Sequence, residues 1–144
     1  MNNRRRIFIF AVLFITAIST FIYAKSHARS GYSVIYAARG SISADRHNPM
    51  QGRLLLRQVN DTLTHFSPSG KASKIAVRPF LAKWPKTAVE GALTFTRDEL
   101  DTHFLTTLSH PYYDPGENVM TFEMVADSDL SRYDDIHEVT VYVY

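Results

Sequence analysis

Along Glu138-Val-Thr-Val-Tyr-Val-Tyr144, Val139, Val141 and Val143 fall on one side and Thr140, Tyr142 and Tyr144 on the other. That two-residue period is the mark of a strand with one face in a core. Shorter versions recur upstream. Residues 32–38 are apolar and β-rich up to Arg39-Gly40, and residues 52–59 put Leu54 and Leu56 on one face before a break at Asn60-Asp61. Residues 62–66 alternate and stop at the turn cluster Ser67-Pro68-Ser69-Gly70, and residues 73–77 make a short strand. Residues 88–96 point Val89, Leu93 and Phe95 inward. Residues 100–108 and 119–125 are further strands, separated by turn chemistry from Pro111 to Asn118. Only residues 79–84 break the pattern. Proline suits a first helical turn, Phe80, Leu81 and Trp84 share one side, and Pro85 stops the helix. Seven or eight short strands with one short helix predict an all-β domain, an antiparallel, Ig-like β-sandwich. An outer-membrane barrel needs strands of about 9–11 residues, longer than these runs, and residues 68–85 are too basic and proline-broken for one.

The start of the chain is of another kind. MNNRRR precedes residues 7–24, an uncharged apolar run, the pattern of an export signal or a membrane anchor. Eighteen residues give roughly 27 Å of helix, just short of a hydrocarbon core and long for a signal peptide. Ser26-His27-Ala28 nevertheless offers small residues where a signal peptidase reads, with cleavage after Ala28. Residues 1–28 are therefore a signal peptide or an anchor, and residues 29–144 an exported domain. The expected location is periplasmic or secreted, or tethered to the inner membrane with residues 29–144 outside the cytoplasm.

Composition narrows the chemistry. The chain has 144 residues, a formal charge of +2 and no cysteine. An exported domain without disulfides rests on its core alone. Thiol catalysis, Cys-based zinc sites and a lipidated N-terminal Cys are excluded. Charge is lopsided: residues 29–89 carry ten Lys and Arg against Asp45 and Asp61, whereas residues 90–144 carry Arg97 and Arg132 against twelve acids. Either the halves interleave and neutralise one another, or one meets a charged partner. Export makes nucleic acid an unexpected partner.

The pieces Leu54-Leu-Leu-Arg-Gln-Val59, Phe66-Ser67, Phe80-Leu-Ala-Lys-Trp84, and Tyr113-Asp114 through Asn118-Val-Met-Thr-Phe122 follow an L-x-L-x-x-V strand, an F-S turn, an F-x-x-x-W helix and a Y-D-x-x-x-N-x-x-T-[FY] hairpin. In these motifs residues 52–126 resemble small exported bacterial β-rich domains of unestablished activity. The resemblance implies export and a β fold and carries no catalytic residue. After Phe66-Ser67 that family continues Asp-Arg-Pro, where this chain has Pro68-Ser69-Gly70.

Among candidate sites, the stretch from Ala126 to Glu138 comes first. Asp127, Asp129, Ser131, Asp135 and Glu138 stand at positions 1, 3, 5, 9 and 12 of a calcium loop. Position 6, which needs glycine, is Arg132, and a strand pattern follows where a helix belongs, so an EF-hand is excluded. Asp127, Asp129, Asp134 and Asp135 can still converge on one divalent ion, calcium before copper; otherwise the stretch is a solvated acidic connection. His65, His103, His110 and His137 with Met120 and Met124 suggest copper by ligand type, but fit no compact ligand spacing. Ser67 or Ser109 with His110 and Asp114 supplies the residue types of a hydrolase without a G-x-S-x-G elbow. The fullest signal is aromatic. Tyr112, Tyr113, Tyr133, Tyr142 and Tyr144 crowd the last third, and outward tyrosines on an edge strand make a rigid amphipathic patch suited to a protein partner. The expectation is a non-catalytic domain without a cofactor. It contacts a protein partner of the cell envelope through Tyr112, Tyr113, Tyr142 and Tyr144, and the inner membrane too if the leader is retained. The alternative is a divalent-metal-binding domain.

Overall fold

Among the described residues, eight strands and one helix form in the order β1 (Tyr32–Ala44), β2 (Gln51–Val59), β3 (Thr62–Phe66), β4 (Ala72–Ala76), α1 (Val77–Ala82), β5 (Val89–Arg97), β6 (Leu100–Asp114), β7 (Val119–Ala126) and β8 (Ile136–Val143). The structure is a computed structural model and describes residues 31–131 and 133–144. The expected N-terminal hydrophobic helix of residues 7–24, and the choice between cleavage and anchoring, lie outside the described residues. Among the described residues no helix is long and apolar enough to cross a membrane.

All pairings are antiparallel, and they close. β1 bonds β8 on one edge and β2 on the other; β2 bonds β7, then β6, β5 and β8 follow in turn. The all-β antiparallel expectation holds, but the two-layer Ig-like sandwich gives way to a closed six-stranded barrel. The reason is the length of β1. At 13 residues it is bonded along both edges, so the sheet returns on itself and leaves no free edge among the six. Ile35, Leu54, Leu56, Leu93, Phe95, Leu108, Met120, Phe122, Val139 and Val141 fill the interior, each no more than 3% exposed.

β1 runs past Arg39-Gly40, where the sequence suggests a stop. Gly40 is there for contact, not for a turn: a Cβ would lie 2.9 Å from the Leu55 carbonyl oxygen of the neighbouring strand. β6 likewise continues through the expected turn residues to Asp114. His110 takes a φ of 50° and the register with β7 slips between Ser109 and Tyr112, so Pro111 sits in a bulge where no ladder bond is needed.

One feature runs across three strands. Buried positions go Ser33, Ile35, Ala37 and then Ile42 in β1; Leu54, Leu56 and then Val59 in β2; Ile136 and then Val139 in β8. Each contains one odd step, so the inward face changes parity at one level, while the register on both sides is unbroken. Gln58 and Glu138, with φ of 54° and 50°, stand opposite Ala38 at that level. Left-handed residues that reverse the pleat bend a strand sharply, and the two that flank Ala38 curl the wall towards closure.

The two barrel ends are sealed differently. β3 follows β2 along the same edge of β1 after Asn60, whose N–H donates to the Tyr36 carbonyl at 3.1 Å. β3 then takes β4 as its outer neighbour instead of β7, so the β3–β4 hairpin leaves the barrel wall. Helix α1 covers the gap: Trp84, just beyond it, packs on Phe122 of β7 with ring centroids 5.4 Å apart. The helix is short for good reason, since Lys83 and Trp84 N–H bond back to Phe80 and Leu81 in a tightening last turn and Pro85 cannot continue it. At the far end the β7–β8 connection serves as a plug. Leu130 is fully buried, and Tyr133 meets Phe95 and Phe104 with centroids 5.1 and 5.7 Å away.

Candidate functional site

Where α1 crosses the barrel mouth it leaves a cleft of about 380 Å³, walled by Ile75, Phe80, Trp84, Val89 and Val143 with Tyr144 at its side. Its size and apolar lining suit a side chain or a small ligand. The polar groups are few. Ser33 and His65 are register partners on β1 and β3 and both face inward; Ser33 Oγ and His65 Nδ1 lie 2.9 Å apart. Ser33 is only 4% exposed and lines the inner side of the cleft. The pair satisfies two polar groups at the mouth. The Trp84 indole N–H is buried beside them without a hydrogen-bond partner.

Outside the same end, the outward positions of β3, β1 and β8 build an aromatic wall. Phe66 stacks on Tyr32 with centroids 4.9 Å apart, and Tyr32 meets Tyr144 at 6.2 Å. Tyr142 stands opposite Val34 on β1, and Tyr36, 40% exposed, continues the row. The outward direction of Tyr142 and Tyr144 follows the alternation, but β8 is no edge strand: it lies between β1 and β5. Both tyrosines are half-buried by these neighbours. Burial, and next to it Tyr32, pushes the Tyr142 phenol above its ordinary value. A raised native value means the unfolded chain loses this proton first. The stability concerned is fully present below about pH 10 and is lost as pH rises through the higher native value. Urea melts at neutral and strongly alkaline pH are expected to show a smaller alkaline loss in Tyr142→Phe than in the parent.

Tyr112 and Tyr113 do not join this wall. They lie on the β6–β7 hairpin, Tyr112 61% exposed and Tyr113 packed against the core. The four acids do not gather either. Asp129 accepts from the Ser131 N–H and hydroxyl, Asp127 from the Ser128 hydroxyl, and Asp135 lies 3.6 Å from His137. Among the described residues no three His, Asp or Glu side chains converge as metal ligands. Met120 and Met124 are core residues, 0% and 3% exposed. Ser109 Oγ and Glu123 Oε2 both approach His110 Nδ1, at 3.2 and 3.0 Å, where a relay needs one on each ring nitrogen. Asp114 instead accepts from Gly116 and Glu117 N–H in the hairpin turn.

Sequence reasoning missed Ser33, Tyr32, Tyr36 and Phe66 as site residues, and named His65 only as a copper-type ligand. Tyr32-Ser-Val-Ile-Tyr36 held a signal, since Tyr32, Val34 and Tyr36 alternate as an outer face. The Ser33–His65 pairing, 32 residues apart, had none. The chain matches no family model, no characterised protein and no solved structure to which it was compared.

Proposed function

We propose that the barrel is a non-catalytic binding module of the cell envelope, exported by its leader, and that a protein partner contacts the tyrosine wall. The observation that supports this reading is the grouping of Tyr142 and Tyr144 with Tyr32, Tyr36 and Phe66 on one outer surface beside an apolar cleft. Tyrosines held by packing lose little freedom on binding and offer a rigid ring, which is why they recur among the residues that dominate interfaces. Catalysis is a poorer reading because the Ser33–His65 pair has no third group orienting it among the described residues, and the His110 contacts converge on one nitrogen. In-cell photocrosslinking from Tyr36, followed by capture with Tyr142→Ala/Tyr144→Ala, tests it. The crosslinked protein should bind the double variant at least about tenfold more weakly. Undiminished capture of that protein by a folded double variant would end the proposal.

A further inference from the structure

Between Asp61 and Glu90 the chain contains Lys71, Lys74, Arg78, Lys83 and Lys86 and no acid. These residues form the β3–β4 hairpin, α1 and the segment leading to β5, so one structural unit carries all five charges. All five are exposed, and none pairs with a carboxylate among the described residues. Elsewhere the fold brings a cation of one half beside an acid of the other: Arg53 of β2 stands opposite Glu123 of β7. The hairpin and helix have no such acidic neighbour strand, because β4 ends the sheet. The opposite end of the barrel has an excess of acid, with Asp98 and Glu99 in the β5–β6 turn and Asp127, Asp129, Asp134 and Asp135 in the β7–β8 connection against Arg46 and Arg97. Asp114 and Glu117 of the β6–β7 turn lie at the entry end, outside the basic unit.

The basic unit lies at the end where the chain enters. β1 begins at Tyr32, opposite Phe66, and the backbone at Gly31 passes beside the Phe66 carbonyl, next to the turn that carries Lys71. Only residues 25–30 separate Gly31 from the apolar run, and two of them are Lys25 and Arg29. A span from residue 24 to residue 31 reaches at most about 25 Å. Phe80 and Trp84 sit within the same unit, and aromatic rings among cations are the residues that settle at headgroup level.

We infer that the hairpin–helix unit of Lys71, Lys74, Arg78, Lys83 and Lys86 is a docking surface for anionic phospholipid, seating the barrel entry-end down on a bilayer. Clustered Lys and Arg beside a membrane-directed segment are drawn to anionic headgroups, and the attraction fades within a Debye length. An acidic distal end is repelled by the same surface, so the charge distribution sets orientation as well as attachment. The inference is independent of any partner at the tyrosine wall.

Trp84 is the only tryptophan and reports on this surface directly. The full-length chain, leader intact, is placed in nanodiscs of phosphatidylcholine alone or mixed with phosphatidylglycerol, each with a headgroup-labelled quencher. The tether is the same in both, so any difference belongs to the headgroup charge. Quenching of Trp84 is expected to be several-fold greater with phosphatidylglycerol, and to fall to the phosphatidylcholine level in high salt. Lys71→Glu/Lys74→Glu/Lys83→Glu/Lys86→Glu should abolish the difference while its circular dichroism stays that of the parent. Equal quenching in the two lipids overturns the inference, as does a difference that survives high salt. An acidic protein captured by the parent and lost by the charge variant, with equal quenching in both lipids, would assign the unit to a protein instead.

Discussion

Phe122→Ala is expected to destabilise the barrel by about 3–5 kcal/mol, the range for removing a fully buried aromatic ring. Phe122 is 1% exposed, faces the interior from β7, and is the residue on which Trp84 rests at 5.4 Å between centroids. Two losses therefore coincide. The interior gains a cavity that the close-bonded walls cannot collapse, and the covering helix loses its anchor. Phe80 meets the other side of Trp84 edge-on at 6.1 Å, so the loosening should spread to the rest of α1. Chemical denaturation followed by circular dichroism reads the first loss. A red shift of Trp84 emission in the folded variant reads the second. Unchanged emission with lowered stability would mean that the helix is held by Phe80 and Leu81 without the ring beneath.

Gly91→Ala should also be strongly damaging, by about 2–4 kcal/mol or by loss of folding at ambient temperature. Gly91 lies in β5 opposite Val143, and a Cβ there would press on the Tyr142 carbonyl oxygen well inside van der Waals contact. The obstacle is backbone, not the movable end of a side chain. Relief requires β5 and β8 to part, and that pair helps close the barrel. The ladder bond from Tyr144 N–H to the Glu90 carbonyl, 3.0 Å long, lies beside the clash and should weaken with it. Hydrogen exchange at Tyr144 and its neighbours, compared with the parent, checks whether the seam opens there first.

How far the fold could be read in advance depends on what alternation reports. It separates a dry face from a wet one, and the strands at 52–59, 62–66, 88–96, 119–125 and 138–144 match the structure within a few residues. A sandwich and a closed barrel share that signature. The choice between them lies in which edges meet, and the pairing of β1 with β8 joins residues some hundred positions apart. Breaks were harder than strands. Gly40 and Pro111 look like stops, yet one marks a close approach and the other a bulge. At the site, the outward direction of Tyr142 and Tyr144 was legible from period two, while their company was not. Tyr32 and Phe66 reach them only through the pairing of β1 with β3 and β8. The acidic stretch misled by composition: its weight-bearing residue is Leu130, the apolar member among the carboxylates.

The shared change of parity at Ala38, Gln58 and Glu138 makes the lengths of three strands interdependent. Deleting one residue from β1 at that level would turn Tyr32 and Val34 into the interior and Ser33, Ile35 and Ala37 out to water, undoing the mouth and the wall in a single step. No second deletion in β2 or β8 alone repairs it, because each borders β1 on a different edge. The exposed turn at 68–70 can take an added residue without disturbing the interior, whereas the waist can be re-cut only in all three neighbours at once.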